Sequence, residues 1–179
     1  MISQLQTTQL DSIDVLPRNT NWAAAWTKSR AEKALVEYLK TRSVSTFLPL
    51  VSRRHVYSSA VRQYDVPLFP GYVFFDQSNI SRSEVFESRK VAQILNTPEP
   101  LALANELEQI AMALRHDPSL REARFGQMGI PVVLARGPMK GLRGDLVRMG
   151  NASRLIVRVT FLGKAAELDI DEAFVEPSH

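Results

Sequence analysis

The chain has 179 residues, of which 45% are hydrophobic and 23% charged, so it can build one large domain or two small ones and does not have the composition of a disordered segment. It has no cysteine, which excludes disulfides, thiolate catalysis and cysteine metal sites, and its three scattered histidines offer no ligand spacing, so no metal or other cofactor is expected. A net charge of +3 is compatible with a nucleic-acid partner without arguing for one, and the absence of a long apolar run or a signal-like N-terminus leads us to expect a cytoplasmic, non-membrane protein.

Residues 1–21 read as a polar lead-in. Trp22 to Thr27 is a short apolar run that reads as a strand. Ser29 and Glu32 have the spacing of a capping box opening a helix to about Thr41, with Ala31, Ala34, Leu35, Tyr38 and Leu39 on one face. Ser45 to Leu48 reads as a second strand, stopped by Pro49. Arg53–Tyr57 and Val61–Tyr64 read as the arms of a hairpin turning at Ser58 and Ser59. Next comes the densest aromatic stretch, Val66 to Phe75, with a strand at Tyr72–Asp76. Ser81 and Glu84 repeat the capping-box spacing before a short helix to about Ser88, and Val91–Leu95 reads as another strand.

Thr97 to Pro100 breaks the pattern. A helix over Ala102–Leu114 follows, with Leu103, Leu107, Ile110 and Leu114 at helical spacing. Residues 116–128 lack periodicity and read as a linker. Beyond Gly129 the segments Pro131–Ala135, Gly144–Met149, Leu155–Thr160, Ala166–Ile170 and Phe174–Glu176 are short and β-like, which suggests a small barrel.

The stretch Gly137 to Gly144 invites comparison with a phosphate-binding loop. That loop requires Lys followed by Ser or Thr at its end, whereas Asp145 follows Gly144 here. The glycines instead read as turn residues between two strands. Taken as a unit, Val132 to Val147 with Gly137, Pro138, Gly141 and Gly144 resembles a KOW motif. Val159–Lys164, Glu167–Asp169 and Val175–Glu176 are similar to the end of a NusG C-terminal domain. Trp22, Glu32–Lys33, Phe47–Pro49 and Leu68–Phe74 occur in the order of a NusG N-terminal domain. The resemblance covers roughly Trp22 to Pro177, departs at Ala23 where an aromatic is usual, and is nearer to specialised NusG paralogues around residues 116–128.

This resemblance implies an α+β protein. Residues 22–115 would form a NusG-type α/β sandwich with a mostly antiparallel sheet. Residues 116–128 would be the linker, and residues 129–177 an SH3-like five-stranded KOW barrel. It also implies a monomeric transcription elongation or antitermination factor that is not an enzyme. Such a factor binds the clamp helices of RNA polymerase and lies near the non-template DNA strand. Its KOW domain recruits a ribosomal protein or termination factor Rho.

Two readings of the aromatic stretch stay open. Tyr72–Asp76 can be buried on both faces, or Leu68, Phe69 and Tyr72, near Trp22, can form an outward patch for polymerase. Lys28, Arg30, Arg53, Arg54 and Arg62 can contact nucleic acid or form a solvated charged face. Phe161 either matches the partner-binding phenylalanine of the family or completes the alternation of Leu155, Val157 and Val159. A ribosome-associated or RNA-binding KOW protein is the rival function.

Overall fold

The computed structural model describes residues 21–56, 61–117 and 119–178. The lead-in up to residue 20 and the hairpin turn at Tyr57, Ser58 and Ser59 lie outside the described residues. The elements in chain order begin with β1 (Trp22–Thr27), α1 (Glu32–Lys40), β2 (Thr46–Phe47), β3 (Leu50–Val56), β4 (Val61–Pro67), β5 (Tyr72–Asp76), α2 (Arg82–Glu87) and β6 (Val91–Asn96). They continue with α3 (Pro100–His116), β7 (Arg121–Ala123), β8 (Ile130–Leu134), β9 (Arg143–Met149), β10 (Ala152–Val159), β11 (Lys164–Ile170) and β12 (Val175–Pro177). The protein is therefore α+β, with antiparallel pairing in every sheet and a β domain at its C-terminal end.

The chain divides into two compact units. One holds the described residues up to Pro49 with Phe69–Asn105, the other Leu50–Leu68 with Glu106 onward. The hairpin β3–β4 and the C-terminal half of α3, expected within a domain spanning 22–115, thus group with the second unit.

In the first unit the sheet order is β2-β5-β1-β6. Small residues on β1 face large ones on β5: Ala23 lies opposite Phe75 and Ala24 opposite Phe74. This pairing gives a physical reason for alanine at position 23, because a second aromatic there would compete for the space Phe75 fills. Ala23, Ala24, Ala25, Val73, Phe74 and Phe75 are all fully buried, so the centre of the sheet is covered on both faces. Helix α1 packs against β2 and β5 with Leu35 and Leu39 inward, and the Tyr38 hydroxyl donates to the Glu84 carbonyl at 2.7 Å, tying α1 to α2.

The two capping boxes have different outcomes. At α2 the box forms: Ser81 accepts from the Glu84 N–H at 3.3 Å while the Glu84 carboxylate accepts from the Ser81 N–H at 2.9 Å. At α1 it does not. The helix starts two residues later, after Ala31, with no side-chain cap. Arg30 is left-handed at φ 56°, and the Glu32 carboxylate points instead to the Gly71 N–H, from which it accepts at 2.8 Å. A long-range backbone donor has displaced the local one.

In the second unit a six-stranded sheet runs β12-β8-β9-β10-β11-β7. The five expected strands are present, and β7 is a sixth. It lies within residues 116–128, the segment expected to be a linker. Its three residues are too few to show a period. They are held by pairing with β11 and by Arg121, which bridges Glu167 at 2.7 Å and Asp169 at 3.0 Å. The rest of that segment is also fastened: the Arg158 guanidinium donates to the Phe125 and Gln127 carbonyls and pairs with Asp145 at 2.7 Å. Residues 135–142 connect β8 to β9 as turn chemistry requires, with Gly137 and Gly141 left-handed at φ 81° and 91°. Gly144 serves a different need, since a Cβ there would lie 2.4 Å from the Ile156 carbonyl oxygen.

Candidate binding surfaces

The aromatic stretch resolves into a core strand and one exposed edge. Phe69 is 0%, Trp22 1% and Leu68 2% exposed. The expected outward patch made by these three residues is therefore not present; their side chains are enclosed. The physical reason is the strand period. Val73, Phe74 and Phe75 are fully buried whichever face of β5 they point to. Tyr72 remains half-buried.

The exposed aromatic of this region is Trp26, at 49%. It stands directly across from Tyr72 in the β1–β5 register. It also lies over the Phe69–Pro70–Gly71–Tyr72 turn, because a Cβ on Gly71 would sit 3.5 Å from its ring. Gly71 is left-handed at φ 86°, which opens the turn for the indole. Glu32 holds the Gly71 N–H, and Thr27 reaches the Gly71 carbonyl through its N–H at 2.8 Å and its hydroxyl at 3.3 Å. The turn is thus clamped at both backbone polar groups. Sequence reasoning passed over Trp26, although the alternation Trp22, Ala24, Trp26 places it on one face of β1 at the strand's end, where burial runs out.

Cations gather beside this edge. Lys28 and Arg30 are exposed on the β1–α1 turn, and the Lys28 N–H donates to the Lys90 carbonyl at 2.8 Å. That bond brings in the α2–β6 turn with exposed Arg89 and Lys90, residues the sequence reading did not single out. Arg89 shares with Arg30 a left-handed backbone, φ 57° against 56°.

The hairpin separates its arginines. Arg53 stands opposite Tyr64 and His55 opposite Arg62, whereas Arg54 stands opposite Gln63. By alternation, Arg53 and Arg62 share one face and Arg54 lies on the other. In the β domain, alternation stops at Val159. Phe161 sits in a 3₁₀ turn, Thr160–Leu162, and is half-buried. The Glu106 carboxylate accepts from the Thr160 N–H through both oxygens, at 3.1 and 3.0 Å, so α3 holds the turn that carries Phe161.

Several carboxylates of the β domain are engaged in ion pairs. Arg154 bridges Glu167 and Asp169, each at 3.1 Å, alongside Arg121. Arg148 grips Glu172 with two nitrogens, at 2.7 and 2.6 Å. Together with the Ser153 hydroxyl it holds the Glu172 carboxyl down at about 2. Among the described residues no group of three or more metal-ligating side chains is placed to hold an ion, and no helix is long and apolar enough to cross a membrane.

A family profile described as NusG, transcription termination factor nusG, matches residues 20–111. The chain belongs to the NusG family. The match takes in the whole first unit as well as the hairpin, and ends before the β domain. Membership of the NusG family supports a role in transcription elongation. No curated protein gives a match. Among solved structures, the crystal structure of the MjSpt4:Spt5 complex in conformation B aligns at 17% identity, covering 88% of this chain and 98% of that one, with a TM-score of 0.27, a likeness too weak to argue from.

Proposed function

We propose that this NusG-family chain is an elongation and antitermination factor that docks on RNA polymerase through its first unit and suppresses pausing or termination. The observation that carries the reading is the Trp26–Tyr72 edge, where an indole is held half in solvent on a turn clamped by Glu32 and Thr27. An aromatic residue buries about 150–250 Å². At roughly 25 cal/mol per Å², covering such a ring contributes several kcal/mol before the costs of association. By family resemblance the partner is the pair of clamp helices, with Lys28, Arg30, Arg89 and Lys90 beside the edge positioned for nucleic-acid phosphates. The protein acts by occupancy rather than chemistry, in the cytoplasm, as a monomer. Its β domain, read as a KOW domain, recruits a ribosomal protein or Rho through the turn bearing Phe161.

The test is capture of RNA polymerase by the full chain and by Trp26→Ala/Tyr72→Ala. Loss of capture with an unchanged circular-dichroism melt supports the reading, as does loss of pause suppression on a paused template. Undiminished capture by the double variant refutes the edge as the docking site. Copurification with ribosomal subunits and without polymerase refutes the elongation role.

A further inference from the structure

Strand β7 lies at one end of the six-stranded sheet and covers part of its neighbour β11. On its inner side β11 pairs with β10 along its whole length, from Lys164 to Ile170. On the β7 side it pairs, among the described residues, at Ala165, Ala166 and Glu167 alone. Ala165, Ala166 and Leu168 are fully buried, whereas none of Arg121, Glu122 and Ala123 is. β11 is thus a core strand, and β7 is a short cover over what would otherwise be an open edge.

Charge helps to hold this cover. Arg121 reaches Glu167 at 2.7 Å and Asp169 at 3.0 Å, and Glu122 meets Lys164 at 2.7 Å. The carboxylates and the guanidinium that a departing β7 would leave behind have second partners. Glu167 and Asp169 are both held by Arg154 of β10, each at 3.1 Å. Arg158, which donates to the Phe125 and Gln127 carbonyls, keeps Asp145 at 2.7 Å. Removing one partner of a buried ion pair is costly because it strands a charge. Here Glu167, the buried carboxylate, is not stranded. Residues 121–129, between the enclosed Leu120 and β8, can therefore leave the edge without orphaning a carboxylate inside the β domain.

The pairing also defines what can take the place of β7. Arg121 stands opposite Glu167 and Glu122 opposite Ala166, with Lys164 two residues along on the face of Ala166. An extended protein segment meets both demands with a basic residue followed by an acidic one. Nucleic acid does not: it has no amide ladder to offer, and its phosphates would face Glu167 and Asp169. A second copy of this chain brings only the segment already present, which the tether keeps at higher effective concentration.

We propose that β7 is a displaceable strap, closing the β11 edge within the chain until an extended protein segment with a basic–acidic pair replaces it by strand addition. The proposal concerns the strand edge rather than the turn bearing Phe161, and it does not rest on polymerase docking.

The experiment joins amide hydrogen exchange of the full-length chain to binding of a labelled peptide with the sequence of residues 119–125, Ser-Leu-Arg-Glu-Ala-Arg-Phe. The β11 amides facing β7 are expected to exchange faster than those of Leu155–Val157, and faster again in high salt. Arg121→Ala is expected to speed them about tenfold, the factor for losing one hydrogen bond to a charged group. Arg121→Glu/Ala123→Pro breaks the ion pair and the ladder together. This variant is expected to bind the peptide at concentrations where the parent does not, with its β9–β10 amides still protected and with binding retained when Phe161→Ala is added. β11 amides as protected as those of Leu155–Val157, and unmoved by Arg121→Ala or by salt, overturn the proposal. So does loss of β9–β10 protection in the double variant, which makes β7 a structural part of the domain. Equal binding of a peptide with its central Arg and Glu exchanged overturns the charge pattern assigned to the partner. Dimerisation of the double variant without peptide binding, read by sedimentation, gives the edge to a second copy and overturns the assignment to a different protein.

Discussion

The Glu32 carboxylate accepts a hydrogen bond from the Gly71 backbone N–H at 2.8 Å, joining the first turn of α1 to the turn before β5. Glu32 is buried, so removing its side chain leaves an unsatisfied donor in a protected place. Glu32→Ala is expected to destabilise the protein by about 1–3 kcal/mol, and Glu32→Gln by less because its amide oxygen can still accept. Gly71→Ala is expected to cost roughly 1–2 kcal/mol for the left-handed backbone alone. Urea unfolding monitored by tryptophan fluorescence checks both, and Trp26 over the turn makes the native signal itself responsive.

Gly144 and Gly126 make a contrasting pair. A Cβ at Gly144 would meet the Ile156 carbonyl oxygen at 2.4 Å, and neither partner is a flexible side-chain end. Gly144→Ala therefore has to push β9 and β10 apart, and a loss of about 1–3 kcal/mol or more is expected. A Cβ at Gly126 meets nothing within 4 Å and its φ is not left-handed. Gly126→Ala is expected to be neutral or to stabilise by a few tenths of a kcal/mol, through the unfolded chain. Thermal melts should place Gly144→Ala below the parent and Gly126→Ala at or slightly above it; a tolerated Gly144→Ala would show that the two strands can separate without cost.

Glu172 titrates at about 2, because Arg148 and Ser153 hydrogen-bond its charged form. The folded value lies below the ordinary one of 4.5, so this carboxylate favours the folded state at pH values above that ordinary value. The contribution fades as pH falls from there and is gone below about 2. Arg148→Ala should return the Glu172 midpoint toward the ordinary range in a carbon-detected NMR titration. Glu84 behaves alike in direction: the Ser81 hydroxyl and backbone N–H lower it, so Ser81→Ala should raise its midpoint. A Glu172 midpoint unmoved by Arg148→Ala would mean that the bidentate pair does not persist in solution.

Much of the fold is legible in local patterning. The period of Leu103, Leu107 and Ile110 places α3, and the strands β8–β12 follow from short β-like runs set between turns. Ser81 and Glu84 cap a helix just as their spacing predicts, because both partners of that box are within three residues of each other. The Gly137–Gly144 stretch is a strand connector for reasons visible in its residues. Local signals of this kind carry their own hydrogen-bond partners or their own period, so no distant residue is needed to interpret them.

The binding surfaces are another matter. Glu32 has the same local signature as Glu84, yet it serves Gly71, a residue far along the chain that only folding brings near. The two rows Trp22–Trp26 and Phe69–Phe75 both carry aromatics in sequence. Which rings are enclosed and which one remains in solvent depends on the pairing of β1 with β5 and on what closes over each face. The hairpin arginines look alike until register sets Arg53 and Arg62 beside Tyr64 and sends Arg54 to the opposite side. Period and turn residues were thus sufficient to place most of the elements, since each depends on neighbours along the chain, while the motifs Leu68–Phe74 and Val132–Val147 carried the NusG resemblance that implied the α+β class. Exposure, and with it the place where a partner can bind, was decided only by the tertiary structure, because burial is a property of contacts between segments that the sequence keeps apart.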